Sequence, residues 1–161
     1  MIPTLQVHDV LLVDELSYRL HAPASGEVAV FMPPVESGGN EFIKRVIGVP
    51  GDTLSIKDGI VYRNGVALAE PYENEPPNYE LEIKNYGIYV NGVALDPRRA
   101  NVPPKSRWSA PNRIPAGYYF MLGDNRNYSD DSHVWGFATR ASFFGHAFLN
   151  FWPLNRFSIL R

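Results

Sequence analysis

The sequence contains no cysteine, which excludes a disulfide framework, a thiolate nucleophile and a cysteine metal site. Its four histidines, His8, His21, His133 and His146, lack metal-ligand spacing such as His-x-x-x-His, so neither a metal centre nor another cofactor is expected. Neither sign of charge dominates: 15 Lys and Arg face 17 Asp and Glu, a net charge of -2 without long runs. That balance argues against a nucleic-acid partner. No window approaches the roughly 18 to 20 apolar residues that span a bilayer, and the first residues do not form a charged-then-apolar signal segment. The chain as it stands is expected to be soluble. It opens on strand-like residues almost at once, in MIPTLQVHDVLLV, and reads as a domain cut from something longer.

With 45% hydrophobic residues, 161 positions suffice for one domain with a core, or two small lobes. Val, Ile, Tyr and Phe are grouped in short runs broken by Gly, Pro and Asn-Gly, a β-dominated pattern. Strands are expected over 9–14, 27–32, 42–49, 53–57, 59–63, 87–90, 117–122 and 144–151. Asn64-Gly65 and Asn91-Gly92 signal hairpin turns. Helix evidence reduces to a short turn near Thr139 to Phe143. One partial repeat is visible, GIVYRNGVALAEP at 59–71 returning as GIYVNGVALDP at 87–97. Two copies are too few for a solenoid and point to a duplicated hairpin. The stretch 71–115 is rich in Pro, Asn and polar residues, so residues 1–70 and 116–161 are expected to form the β core and 71–115 an inserted lobe of loops and hairpins.

Two segments carry chemistry. In FIKRVIGVPGD, 42–52, two adjacent cations sit inside a strand of core-forming residues. Successive strand side chains point to opposite faces, so Phe42, Lys44 and Val46 share one side and Ile43, Arg45 and Ile47 the other. An edge strand with snorkelling cations would satisfy this pattern. So would a strand holding one cation in an apolar pocket, where its pKa falls, with the other neutralised by a distant carboxylate. The second segment, GYYFMLGDNRNYSDDSHVWG, 117–136, crowds Ser129, Asp130, Asp131, Ser132 and His133 behind an apolar run. Such density fits either a polar surface loop or groups that satisfy one another in a site.

Taken together, MIPTL at 1–5, LSY at 16–18, FIKRVIGVPGD and GDNRNYSDDSHVWG resemble the type I signal peptidases, membrane-anchored serine proteases that remove secretory signal peptides. The motifs lie in the family's order over nearly the whole catalytic domain. The resemblance implies a mainly β fold of bent antiparallel sheets, of the signal-peptidase and LexA-like type, with the inserted lobe appended. It makes Lys44 the general base of a Ser-Lys dyad. A free lysine is neutral in only about one molecule in a thousand at pH 7 to 8, and apolar surroundings would lower its pKa. Arg45 is expected to pair with Asp124, Ser129 to hydrogen-bond the Lys44 amine, and Asp131 with His133 to form an acid-base pair shaping the site.

The resemblance places the nucleophilic serine immediately before Met-x-Pro-Thr-Leu, a position ahead of Met1, together with the oxyanion hole and a membrane anchor further upstream. The chain is therefore expected to be inactive alone, a truncation of an active enzyme. His8-Asp9, Gly26-Glu27 and Glu15 depart from the family pattern outside the dyad. Shallow substrate pockets for small-x-small, Ala-x-Ala sites would be lined by Ile2, Pro3, Leu11, Val30, Phe42 and Ile43. The implied partners are signal peptides of exported preproteins and a membrane surface met by an apolar rim, with the catalytic domain on the extracytoplasmic side, in the periplasm or thylakoid lumen. Two other readings remain open. One is a LexA-type self-cleaving protease, which lacks the GDNRxxSxDS loop. The other is a non-catalytic module that binds peptides as an added strand.

Overall fold

The structure, a computed structural model, describes residues 1–160. Thirteen strands are formed among them: β1 (Val10–Asp14), β2 (Val28–Phe31), β3 (Phe42–Gly48), β4 (Leu54–Lys57), β5 (Ile60–Arg63), β6 (Val66–Ala67), β7 (Leu81–Lys84), β8 (Gly87–Val90), β9 (Val93–Ala94), β10 (Tyr118–Leu122), β11 (Ala138–Thr139), β12 (Phe143–Trp152) and β13 (Ser158–Ile159). They make two antiparallel sheets, as the β-rich patterning predicts. The larger runs β1-β12-β2-β3-β10-β11, with β13 also paired to β12, and the smaller β6-β5-β4-β7-β8-β9. Two single-turn helices, α1 (Ser17–Leu20) and α2 (Ser132–Trp135), complete the described residues with short 3-10 turns. One of those turns, Arg140–Ser142, lies where the helical turn was expected.

The small sheet shows what the sequence repeat builds. Asn64-Gly65 and Asn91-Gly92 all take positive φ, as two-residue hairpin turns require. The copies repeat their contacts: Asn64 Oδ1 accepts from the Thr53 N–H and Asn91 Oδ1 from the Glu80 N–H. The Leu68 N–H reaches the Val61 carbonyl as the Leu95 N–H reaches that of Ile88. The two units meet through β4 and β7, with Ser55 opposite Glu82 and Ile56 opposite Leu81. Residues 54–67, expected in the core, are therefore part of the same sheet as 81–94, because the two halves of the repeat pair with each other. The sheets share one apolar interface, where Ile47, Phe120, Leu122 and Phe137 pack with Leu54, Ile56, Val61, Leu81 and Ile88.

Strands β6, β7, β9, β11 and β13 lie outside the expected runs. Four of them have two residues, too few for an alternation to register. The fifth, Leu-Glu-Ile-Lys in β7, sits in the polar excursion. In the large sheet, β3 is held between β2 and β10. Ala29 lies opposite Lys44, while Val28 and Leu122 lie opposite Arg45. The edge-strand alternative for the two cations is thereby removed. A separate apolar cluster, Leu5, Val28, Val30, Ala147 and Leu160, lies beneath the first residues, with Met1, Leu11 and Ile43 packed against it.

Candidate active site

Strand β3 and the loop after β10 converge on Lys44. The Lys44 Nζ donates to Ser129 Oγ at 2.8 Å and lies 5.6 Å from the Phe42 ring centroid. The side chain is half-buried, and burial holds its ammonium below the ordinary lysine range against the opposing pull of Asp131, Asp130 and Asp124. Gly123 makes this approach possible. A Cβ there would stand 2.2 Å from Ser129 Oγ and 3.6 Å from Lys44 Nζ, so any side chain would displace Ser129 from its place beside the amine.

Arg45, one residue on, has a different environment. It is fully buried and grips Asp124 with two bonds, Nε to Oδ1 and a terminal nitrogen to Oδ2, both 2.9 Å. Its other terminal nitrogen donates to the Gly26 carbonyl at 2.7 Å. A bidentate pair satisfied this fully can sit away from water, where one charge alone could not. Asp124 also accepts from the Thr4 hydroxyl, which ties the first residues to the pair. On the other flank, Asp131 is buried: Oδ1 bonds His133 Nδ1 at 2.6 Å and Oδ2 accepts from the Gly123 N–H at 2.9 Å. Asp131 also caps α2 by accepting from the His133 N–H.

The Met1 amino group belongs to this site. Burial, and then the Lys44 charge, lower its pKa, so it lies within the field of Lys44. Met1, Ile2, Leu5, Gln6, Val7 and Ile43 line an open, mainly apolar pocket of about 340 Å³. Of the expected pocket residues, Ile2 and Ile43 are in this lining and Phe42 stands beside Lys44. Leu11 and Val30 belong to the apolar cluster beneath it, because both point into the seam between β1, β2 and β12. Pro3 is exposed and outside the lining.

Sequence reasoning missed the contacts that residues 70–79 make with Arg126, Arg45 and His133. Glu70 takes both terminal nitrogens of buried Arg126 at 2.8 Å, and the Tyr72 hydroxyl donates to Glu70 at 2.9 Å. The Tyr72 ring covers Arg45, with its centroid 3.7 Å from the guanidinium carbon. Tyr79 stacks on His133, centroids 4.5 Å apart and planes 14° from parallel. The only hint in the sequence was an aromatic between carboxylates, Glu70-Pro71-Tyr72-Glu73, in an otherwise loop-like stretch. Among the described residues no group of His, Asp and Glu could hold a metal, and no helix is long and apolar enough to cross a membrane.

The fold and the motifs have counterparts. The crystal structure of a signal peptidase I from Enterococcus faecalis aligns with a TM-score of 0.54 and 30% identity, over 78% of this chain and 97% of that one. Two proteins of Synechocystis, described as probable signal peptidases I-1 and I-2, are each 40% identical over 99% of the chain. The chain spans 70% and 62% of their respective lengths. These likenesses fix the class first: the protein is a hydrolase of the peptidase type. More narrowly, the chain belongs to the family described as signal peptidase, peptidase S26, whose profile matches residues 1–152.

Proposed function

We propose that the protein removes N-terminal signal peptides from exported preproteins, with Lys44 as general base and a serine directly ahead of Met1 as nucleophile. The observation that carries this reading is the half-buried Lys44 amine, held below its ordinary range and bonded to Ser129. A neutral amine takes the proton of the attacking hydroxyl, and the resulting ammonium returns it to the departing amine. Ser129 orients the amine without adding a charge. Asp124 is engaged by Arg45 and Asp131 by His133, so these two carboxylates do not pair with Lys44 directly. Met1 lines the same pocket as Ile43, the neighbour of Lys44 in the chain, which favours a nucleophile one residue upstream.

The preference expected is for a small residue, alanine over leucine or phenylalanine, at the mainly apolar pocket bordered by Ile2 and Ile43. Phe42 stands beside Lys44, Leu11 and Val30 lie in the adjoining apolar cluster, and Pro3 is exposed outside the lining. Substrate entry from a membrane surface fits the apolar flank of the large sheet, where Val10, Leu12, Phe144, Phe148 and Trp152 are exposed near Leu154, Phe157 and Ile159. The domain would then work on the extracytoplasmic side. The test is a chain extended upstream to carry the serine. It is expected to cleave Ala-x-Ala peptides, and Lys44→Ala to abolish cleavage with the fold intact. Equal cleavage of a peptide with Leu for the last Ala would refute the pocket. Peptide binding without cleavage would make the domain a binding module.

A further inference from the structure

The strap between β6 and β7 touches the site loop along its whole length. Glu70 holds Arg126, the Asn74 N–H donates to the Asp124 carbonyl at 2.9 Å, and Asn127 bonds the Pro76 carbonyl and the Asn78 N–H at 3.0 and 2.8 Å. Two aromatic rings of the strap meet the two bonded pairs, Arg45–Asp124 and His133–Asp131, that flank Lys44. The Tyr72 ring lies on Arg45, the partner of Asp124. The Tyr79 ring lies on His133, the partner of Asp131.

We propose that Tyr72 and Tyr79 are positioning residues that hold the Arg45–Asp124 and His133–Asp131 pairs in place, and through them the Lys44–Ser129 contact. The route from Tyr79 is continuous. Its ring fixes the imidazole plane, His133 Nδ1 holds one oxygen of Asp131, and the other oxygen holds the Gly123 N–H. Gly123 is the residue whose bare Cα leaves space for Ser129. The route from Tyr72 runs through the guanidinium face to Asp124, and from there to Thr4 and the segment beside Met1. A flat ring over a guanidinium, as at Tyr72, or stacked on an imidazole, as at Tyr79, gives direction as well as attraction, which an aliphatic side chain of equal volume does not. The Tyr79 hydroxyl is buried without a hydrogen-bond partner among the described residues, so at this position the ring, and not the hydroxyl, does the positioning.

This inference rests on Lys44 as the base, and its test is read on Lys44 itself, without the serine. Lysine NMR titration of the chain follows Lys44 in the parent, in Tyr72→Phe and Tyr79→Phe, and in Tyr72→Leu and Tyr79→Leu, with thermal melting to establish the fold of each. The Phe variants are expected to titrate as the parent does, and each Leu variant to move Lys44 upward toward the ordinary lysine range as the pairs loosen and water enters. Where a Leu variant does not fold, Met, which keeps the volume without a flat face, takes its place. A lowered Lys44 in the parent that the folded Leu or Met variants leave unmoved overturns the inference and spares the base assignment. An ordinary titration in the parent overturns both.

Discussion

The two faces of β3 treat neighbouring cations in opposite ways. Arg45 is buried completely and saturated by Asp124, Gly26 and the Tyr72 ring. Lys44 is half-buried and meets a hydroxyl at 2.8 Å, while Asp124 and Asp131 are engaged by Arg45 and His133. Arginine keeps its charge in any protein environment, so burying it demands a full set of partners. Lysine can shed its proton, so burying it with few partners changes its chemistry. The strand therefore separates structure from reactivity by residue choice and by face.

The largest effect expected from breaking this asymmetry is on cleavage. In the serine-bearing chain, Lys44→Met should lower the rate by about a hundred- to ten-thousand-fold, the span of a general base, while the melting temperature holds or rises. A parallel loss of fold would mean that Lys44 is a structural cation like its neighbour. Arg45→Met should do the reverse and cost about 3–5 kcal/mol of stability by leaving Asp124 buried and unpaired. Urea unfolding measures this, and a loss near zero would remove the pair's structural role.

The contrast is sharpened by pH. Because burial lowers Lys44, cleavage should climb with pH through a window below the ordinary lysine value of about 10.4. Within that window the unfolded chain binds more protons than the native one, so stability should rise with pH, and Lys44→Met should flatten that rise. Unfolding free energies at a series of pH values read the slope, and a slope unchanged in Lys44→Met would contradict the assignment. The smallest effect belongs to Ser129→Ala. It removes one hydrogen bond to the amine, worth about 1 kcal/mol, and should slow cleavage several-fold through kcat with KM nearly constant.

The sequence was legible where apolar runs are long. Strands β3, β10 and β12 announce themselves by four or more core-forming residues, and the hairpin repeat by its Asn-Gly turns. Single-turn helices and two-residue strands leave no period to detect. Lys44, Arg45, Ser129, Asp124, Asp131 and His133 were named through the family resemblance of four motifs, and in the structure Lys44 meets Ser129, Arg45 meets Asp124 and Asp131 meets His133. Tyr72 and Tyr79 were not, because a ring stacked across two sheets follows from how those sheets pack, and neither neighbour of Tyr72 or Tyr79 in the chain records it. Leu11 and Val30 were assigned to the pocket by position in the family motifs, but in the structure both pack in the apolar cluster with Leu5, Val28, Ala147 and Leu160.

The doubled hairpin has a consequence for how the molecule folds. Every pairing in the small sheet closes between Leu54 and Ala94, whereas the large sheet must bring Val10 to Trp152 and Gly48 to Phe120 before its core exists. Short loops close sooner than long ones because they surrender less chain entropy. The small sheet is therefore the part expected to form first. It presents Leu54, Ile56 and Val61 as a ready apolar surface on which β3 and β10 settle. A segment that looks peripheral to the chemistry would then serve as the template on which the strands carrying Lys44 and Asp124 assemble.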